Sequence, residues 1–289
     1  MPYTTLISPD ELLPYLKDPQ WVVVDCRFDL FDPAKGEQDY LKAHIPRAVY
    51  AHLERDLSAV PTGTNGRHPL PTIEDLISTF SKWGIGETVQ VVAYDDRGGS
   101  FAARLWWCLR YMGHKSVAVL NGGFPSWERA GFPTTSGVEN RPPRSFKSLI
   151  QVDMLVHLDQ IHSMIGSPDV LLLDARAPER YRGEEEPIDP IAGHIPGALN
   201  RFWQLNLDKD DRFLPPTILH KEFERILGTA SPQSVIGYCG SGVTSCHNLL
   251  AMTYAGLHGA RLYLGSWSEW CADQARPIET GTGSQTVKL

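Results

Sequence analysis

Short apolar runs recur along the chain, separated by stretches in which polar and apolar residues mix. Trp21-Val22-Val23-Val24, Val91-Val92-Ala93-Tyr94, Val170-Leu171-Leu172-Leu173 and Val235-Ile236-Gly237-Tyr238 have no polar interruption. A short run without alternation, bounded by turn signals, reads as a strand covered on both faces. Helix signals fall between these runs. Ser8-Pro9-Asp10-Glu11 offers a cap residue, a proline for the first helical position and a glutamate to reach back. Pro71-Thr72-Ile73 and Pro216-Thr217-Ile218 open two further helices, and Leu249-Leu250-Ala251-Met252 reads as part of another. Strands alternating with helices predict an α/β fold with mostly parallel sheets.

The pattern occurs twice. Val24-Asp25-Cys26-Arg27 matches Leu173-Asp174-Ala175-Arg176, each closing a strand with Asp-x-Arg. His44-Ile45-Pro46 matches His194-Ile195-Pro196, and Pro71-Thr72-Ile73 matches Pro216-Thr217-Ile218. Val91-Val92-Ala93-Tyr94-Asp95 matches Val235-Ile236-Gly237-Tyr238-Cys239, and Leu120-Asn121-Gly122-Gly123-Phe124 matches Leu264-Gly265-Ser266-Trp267. Matches in one order along both halves predict a duplicated domain. The expected division is 1–137, a polar, proline-containing linker over 138–150, a second domain over 151–280, and an unordered tail over 281–289.

Composition narrows the class. A chain of 289 residues suffices for two domains. A formal net charge of -7 with no basic run argues against nucleic acid as a partner. No stretch is long and apolar enough for a membrane span, and the N-terminus lacks the pattern of a secretion signal. Five cysteines without framework spacing suit a reducing compartment, hence the cytoplasm.

The duplication also isolates the chemistry. Cys239 stands where a strand gives way to Gly240-Ser241-Gly242-Val243-Thr244 and then to a helix, whereas the first half has Asp95 in that place. Backbone N–H groups of such a turn converge on negative charge and should favour a thiolate. Only the second half can therefore do thiol chemistry. Cys246 reads as a small core residue, with a disulfide to Cys239 left open; Cys26, Cys108 and Cys271 read as packing. His44 and His194 read as turn-fixing, Trp106, Trp107, Trp267 and Trp270 as core, and Glu184-Glu185-Glu186 as a solvated loop.

On His44-Ile45-Pro46, His194-Ile195-Pro196-Gly197-Ala198, the Cys239–Thr244 loop and Gly265-Ser266-Trp267-Ser268-Glu269-Trp270, nearly the whole chain resembles the tandem-domain rhodanese family. Within it the resemblance is to the 3-mercaptopyruvate sulfurtransferases. It implies two rhodanese-like domains, each a mostly parallel sheet flanked by helices, with only the second catalytic. It implies a small-molecule sulfur donor, a persulfide on Cys239, and a thiol, cyanide or thioredoxin-like acceptor, with no metal or organic cofactor. Ser241 resembles the serine of a proton relay completed by a histidine, here His68, and an acid, here Glu54 with Asp56 nearby. Arg180 matches the first arginine on the donor carboxylate. The second does not carry over, because Glu184–Asp189 has no arginine; Arg201 is the stand-in, ahead of Arg182. Gly240, Gly242, Val243 and Thr244 complete the substrate-binding set.

Relatives specialised for thiosulfate carry basic side chains just after the cysteine, whereas Gly240 and Ser241 are neutral. A dianionic donor then has no cation in the loop, which favours 3-mercaptopyruvate over thiosulfate. A phosphatase would need arginine where Ser245 stands. A persulfide carrier or redox sensor would share the same loop and differ only in lacking steady turnover.

Overall fold

The computed structural model describes residues 2–282, so most of the expected unordered tail falls outside the described residues. The chain divides into two units. Unit 1 holds the chain up to Ala59, Leu70–Val152 and Leu207–Leu214; unit 2 holds Val60–Pro69, Asp153–Asn206 and the chain from Pro215 on. The segment read as a linker lies within unit 1. There Phe146 is buried edge-on against Phe80 at 5.2 Å, and the guanidinium of Arg144 donates to the carbonyl of Pro19 at 2.8 Å.

Unit 1 is built on β1 (Leu6–Ile7), β2 (Trp21–Asp25), β3 (Val49–Tyr50), β4 (Gln90–Tyr94) and β5 (Val117–Leu120), in the order β1-β5-β4-β2-β3. Unit 2 repeats it with β6 (Leu155–Val156), β7 (Leu171–Asp174), β8 (Leu199–Asn200), β9 (Val235–Tyr238) and β10 (Arg261–Tyr263), in the order β6-β10-β9-β7-β8. Among these ten strands every pairing is parallel. The central strands β4 and β9 are buried along their whole length, which is why their sequences show no alternation. Helix starts follow the sequence. Ser8 forms a reciprocal capping box with Glu11, Thr72 caps Ile73–Lys82, and Pro216 occupies the first position of Pro216–Leu227.

The duplicated motifs meet in space. In unit 1 Arg27 donates to the carboxylate of Asp25 at 2.6 Å and to the carbonyl of Ala43, also at 2.6 Å. Tyr94, the last residue of β4, donates its hydroxyl to Asp25 at 2.7 Å and accepts the N–H of Ile45. Unit 2 repeats this with Arg176 on Asp174 and on the carbonyl of Gly193, and with Tyr238 accepting from Ile195. His44 and His194 donate from Nδ1 to the carbonyls of Tyr40 and Tyr181, each 2.7 Å away in the preceding helix. Buried ionic groups satisfied this fully hold their neighbours in one geometry. In unit 2 they fix Tyr238, the residue from which Cys239 departs.

Candidate active site

The loop that follows β9 is shaped by its glycines and by a second loop laid against it. Gly242 has φ +72°, and a Cβ there would run into the carbonyl of Leu264. Trp267 donates its N–H to the carbonyl of Cys239 at 3.0 Å, and Ser268 donates to that of Gly240 at 2.9 Å. The Cys239 N–H donates to the hydroxyl of Ser266 at 3.1 Å. Ser266 takes φ +57°, where the matching residue of unit 1 is Gly123 at +56°. That backbone costs a serine roughly 1 kcal/mol or more, and the hydroxyl it supplies pins the start of the loop.

Cys239 is 2 % exposed. Burial alone would push its thiol up. The hydroxyl of Thr244 and the N–H groups of Ser241 and Ser245 outweigh burial, so the thiol sits below its ordinary value. Ser245 opens the helix Ser245–Tyr254, so its N–H belongs to the positive end of that helix. Cys246 is fully buried one residue on and donates to the carbonyl of Gly242 at 3.3 Å; all five cysteines are free thiols. Val243, within the loop, is buried.

Segment Val60–Pro69 adds its residues to this unit. His68 places Nδ1 2.7 Å from Ser241 Oγ, and both side chains are buried. Arg67 is anchored by its N–H to Ser268 Oγ at 3.1 Å and by its guanidinium to Asp189. A Cβ on Gly240 would lie 2.8 Å from Arg67 Nη2 and 3.6 Å from both terminal nitrogens of Arg180. Two guanidinium groups therefore stand beside the residue after Cys239. The loop itself is neutral, as read from the sequence, and the guanidinium groups beside it come from Arg67 and Arg180, each paired with an acid.

Arg180 donates to Glu186 through Nε and Nη2, the shorter bond being 2.7 Å, and to Asp189 at 3.1 Å. The acidic run is thus only partly a solvated loop. Glu184 and Glu185 are exposed, but the side chain of Glu186 is 4 % exposed and also takes Arg176. Buried guanidinium groups need counter-charge, and Glu186 provides it. Arg201 is committed elsewhere: it donates to Glu222 at 2.6 Å and to the carbonyls of Phe202 and Leu205, and lies over the ring of Phe223. Glu54 belongs to unit 1, exposed in the first turn of the helix Leu53–Asp56.

Arg67, Glu186, Asp189 and Ser266 escaped the sequence reading. Ser266 had a signal, a serine where the repeat has Gly123. Arg67 had a weaker one in its adjacency to His68. The two acids had none, since the run that holds them looks like any solvated loop.

A model of the rhodanese-like domain matches residues 8–130 and again 157–273. The chain belongs to the rhodanese family. A probable 3-mercaptopyruvate sulfurtransferase of Pseudomonas aeruginosa is 46 % identical over 96 % of this chain and 98 % of its own. A putative thiosulfate sulfurtransferase of Mycobacterium tuberculosis is 38 % identical over 90 % and 91 %. The solved 3-mercaptopyruvate sulfurtransferase from Leishmania major superposes with a TM-score of 0.81 at 29 % identity, covering 92 % of this chain and 74 % of that one. Like these rhodanese relatives, the chain is an enzyme of the sulfurtransferase class.

Proposed function

We propose that this sulfurtransferase takes sulfur from 3-mercaptopyruvate onto Cys239 and passes it to a thiol, cyanide or a thioredoxin-like protein. The hydrogen bond between Ser241 and His68 carries the choice of donor. Thiosulfate brings no proton to be moved at neutral pH, whereas the thiol of mercaptopyruvate does. A hydroxyl 2.7 Å from an imidazole nitrogen, beside the nucleophile, supplies a route for that proton.

The step balances as follows. The Cys239 thiolate attacks the donor sulfur and an S–S bond forms. The C–S bond breaks, and its electron pair stays on the methylene carbon as the enolate of pyruvate. The donor thiol proton passes by way of Ser241 and His68 and is returned to that carbon. Pyruvate leaves, and the persulfide anion remains among the N–H groups of Ser241 and Ser245 and the Thr244 hydroxyl. Arg180 orients the donor carboxylate with its guanidinium fork. The acceptor then attacks the outer sulfur and restores the thiolate. We place the reaction in the reducing cytoplasm, where five free thiols stay reduced.

Intact-mass analysis after incubation with mercaptopyruvate tests this reading. The protein should gain the mass of one sulfur atom on the peptide containing Cys239. Cys239→Ser should abolish the gain and Cys246→Ser should keep it. A specificity constant for thiosulfate far above that for mercaptopyruvate would reject the donor assignment.

A further inference from the structure

Accepting mercaptopyruvate as donor, we propose that Arg67 is the second guanidinium on its carboxylate, and that Asp189, a positioning residue, yokes Arg67 to Arg180 and sets the charge of the pair for a monoanion. Three observations lead there. The segment Glu184–Asp189 holds no arginine, and Arg201 is bonded to Glu222 and to two carbonyls. Arg67 and Arg180 both stand against Gly240, next to the nucleophile, where a Cβ would crowd the guanidinium of Arg67 and touch that of Arg180. Asp189 then holds the two forks side by side, one oxygen on Arg67 and the other on Arg180.

Two neighbouring guanidinium groups repel, and burial adds to the cost. Together these hold Arg67 below its ordinary value, with burial the larger cause. An incoming anion relieves both. The donors to receive it are present: among the described residues, Nε and Nη2 of Arg67 and Nη1 of Arg180 have no acceptor. Arg67 keeps 29 % of its side chain exposed and Arg180 keeps 16 %. A carboxylate with its two oxygens across these three donors would sit beside Gly240, within one residue of the sulfur that attacks.

The charge count decides which anion is welcome. Arg67, Arg176 and Arg180 are matched by Asp174, Glu186 and Asp189. The cluster is neutral before a donor arrives, so a dianion leaves one more uncompensated charge in a desolvated place than a monoanion does. Removing the charge of Asp189 should tilt the balance toward the dianion.

The test uses the full-length protein, with cyanide as acceptor and either mercaptopyruvate or thiosulfate as donor. Arg67→Met should raise KM for mercaptopyruvate by about 10- to 100-fold, the worth of a charge-assisted hydrogen bond, with a smaller change in kcat. Arg67→Lys should recover only part of this, because an ammonium lacks the planar fork. Asp189→Asn should raise the ratio of kcat/KM for thiosulfate over mercaptopyruvate by about tenfold. If wild-type Cys239 loads from mercaptopyruvate while Arg67→Met leaves KM unchanged, the role of Arg67 is overturned and the donor assignment stands. An unchanged ratio in Asp189→Asn overturns the charge-setting role. Failure of wild-type Cys239 to load from mercaptopyruvate removes the donor reading and this inference together.

Discussion

A thiol that is both buried and easier to ionise than usual needs donors that outweigh its desolvation. At Cys239 the strongest of these is the hydroxyl of Thr244, ahead of the N–H groups of Ser241 and Ser245. Thr244→Val keeps the shape and removes the donor. The rate of carbamidomethylation of Cys239 by iodoacetamide should titrate below the ordinary thiol range of about 8.5 in the wild type. Because the lowered value marks a favoured thiolate, the rate should fall only as pH drops through that lower midpoint. In Thr244→Val the midpoint should move up, and the rate at neutral pH should drop. Coincident profiles for the two proteins would show that the hydroxyl contributes nothing to the anion. The position of Cys239 was legible in the chain because strand, cysteine, glycines and helix come in order. Arg67 was not, since a guanidinium 122 residues away from its carboxylate partner leaves no local pattern.

Comparing the two post-strand loops shows what a cradle for negative charge does when no thiol is present. In unit 1 Asp95 turns its carboxylate back into its own loop. One oxygen accepts the N–H groups of Arg97 and Gly99, both at 2.8 Å, and the other accepts those of Phe101 and Ala102 at 2.8 and 2.9 Å. The cradle is filled by the chain itself. Asp95→Ala would leave those N–H groups buried without an acceptor and should cost roughly 3 kcal/mol or more. It should also open a site for a free anion. Added sulfate should therefore raise the melting temperature of Asp95→Ala by more than it raises that of the wild type, by mass action on the folded state. Equal shifts would mean that the loop collapses rather than stays open. The duplication predicted a counterpart of Cys239 without sulfur chemistry, and β2, β4, β7 and β9 followed from apolar runs, whereas β5 and β10 went unread. Strands β1, β3, β6 and β8 escaped, because two residues are too few to set a period.

Across the whole molecule, duplication in sequence and division in space do not coincide. Segment Val60–Pro69 comes from the first half of the chain and packs in unit 2; Leu207–Leu214 comes from the second half and packs in unit 1. No composition shift marks either segment, since loops of this length carry no periodicity to say which core they lie on. Their placement has a mechanical consequence. Leu207–Leu214 is held in unit 1 by the N–H of Phe213 on the Asn121 side chain at 2.9 Å and by Arg212 on Ser126 at 3.2 Å. Val60–Pro69 is held in unit 2 by Arg67 and His68. A protease site inserted between Val152, which is 68 % exposed, and Asp153 would sever the chain into two pieces, each anchored by a segment in the other's unit. After cleavage the pieces should separate in denaturant but elute together under native conditions. Because Arg67 and His68 remain beside Cys239, the nicked protein should still load one sulfur from mercaptopyruvate. Pieces that elute apart without denaturant would show that the exchanged segments are too weakly held to tie the halves together.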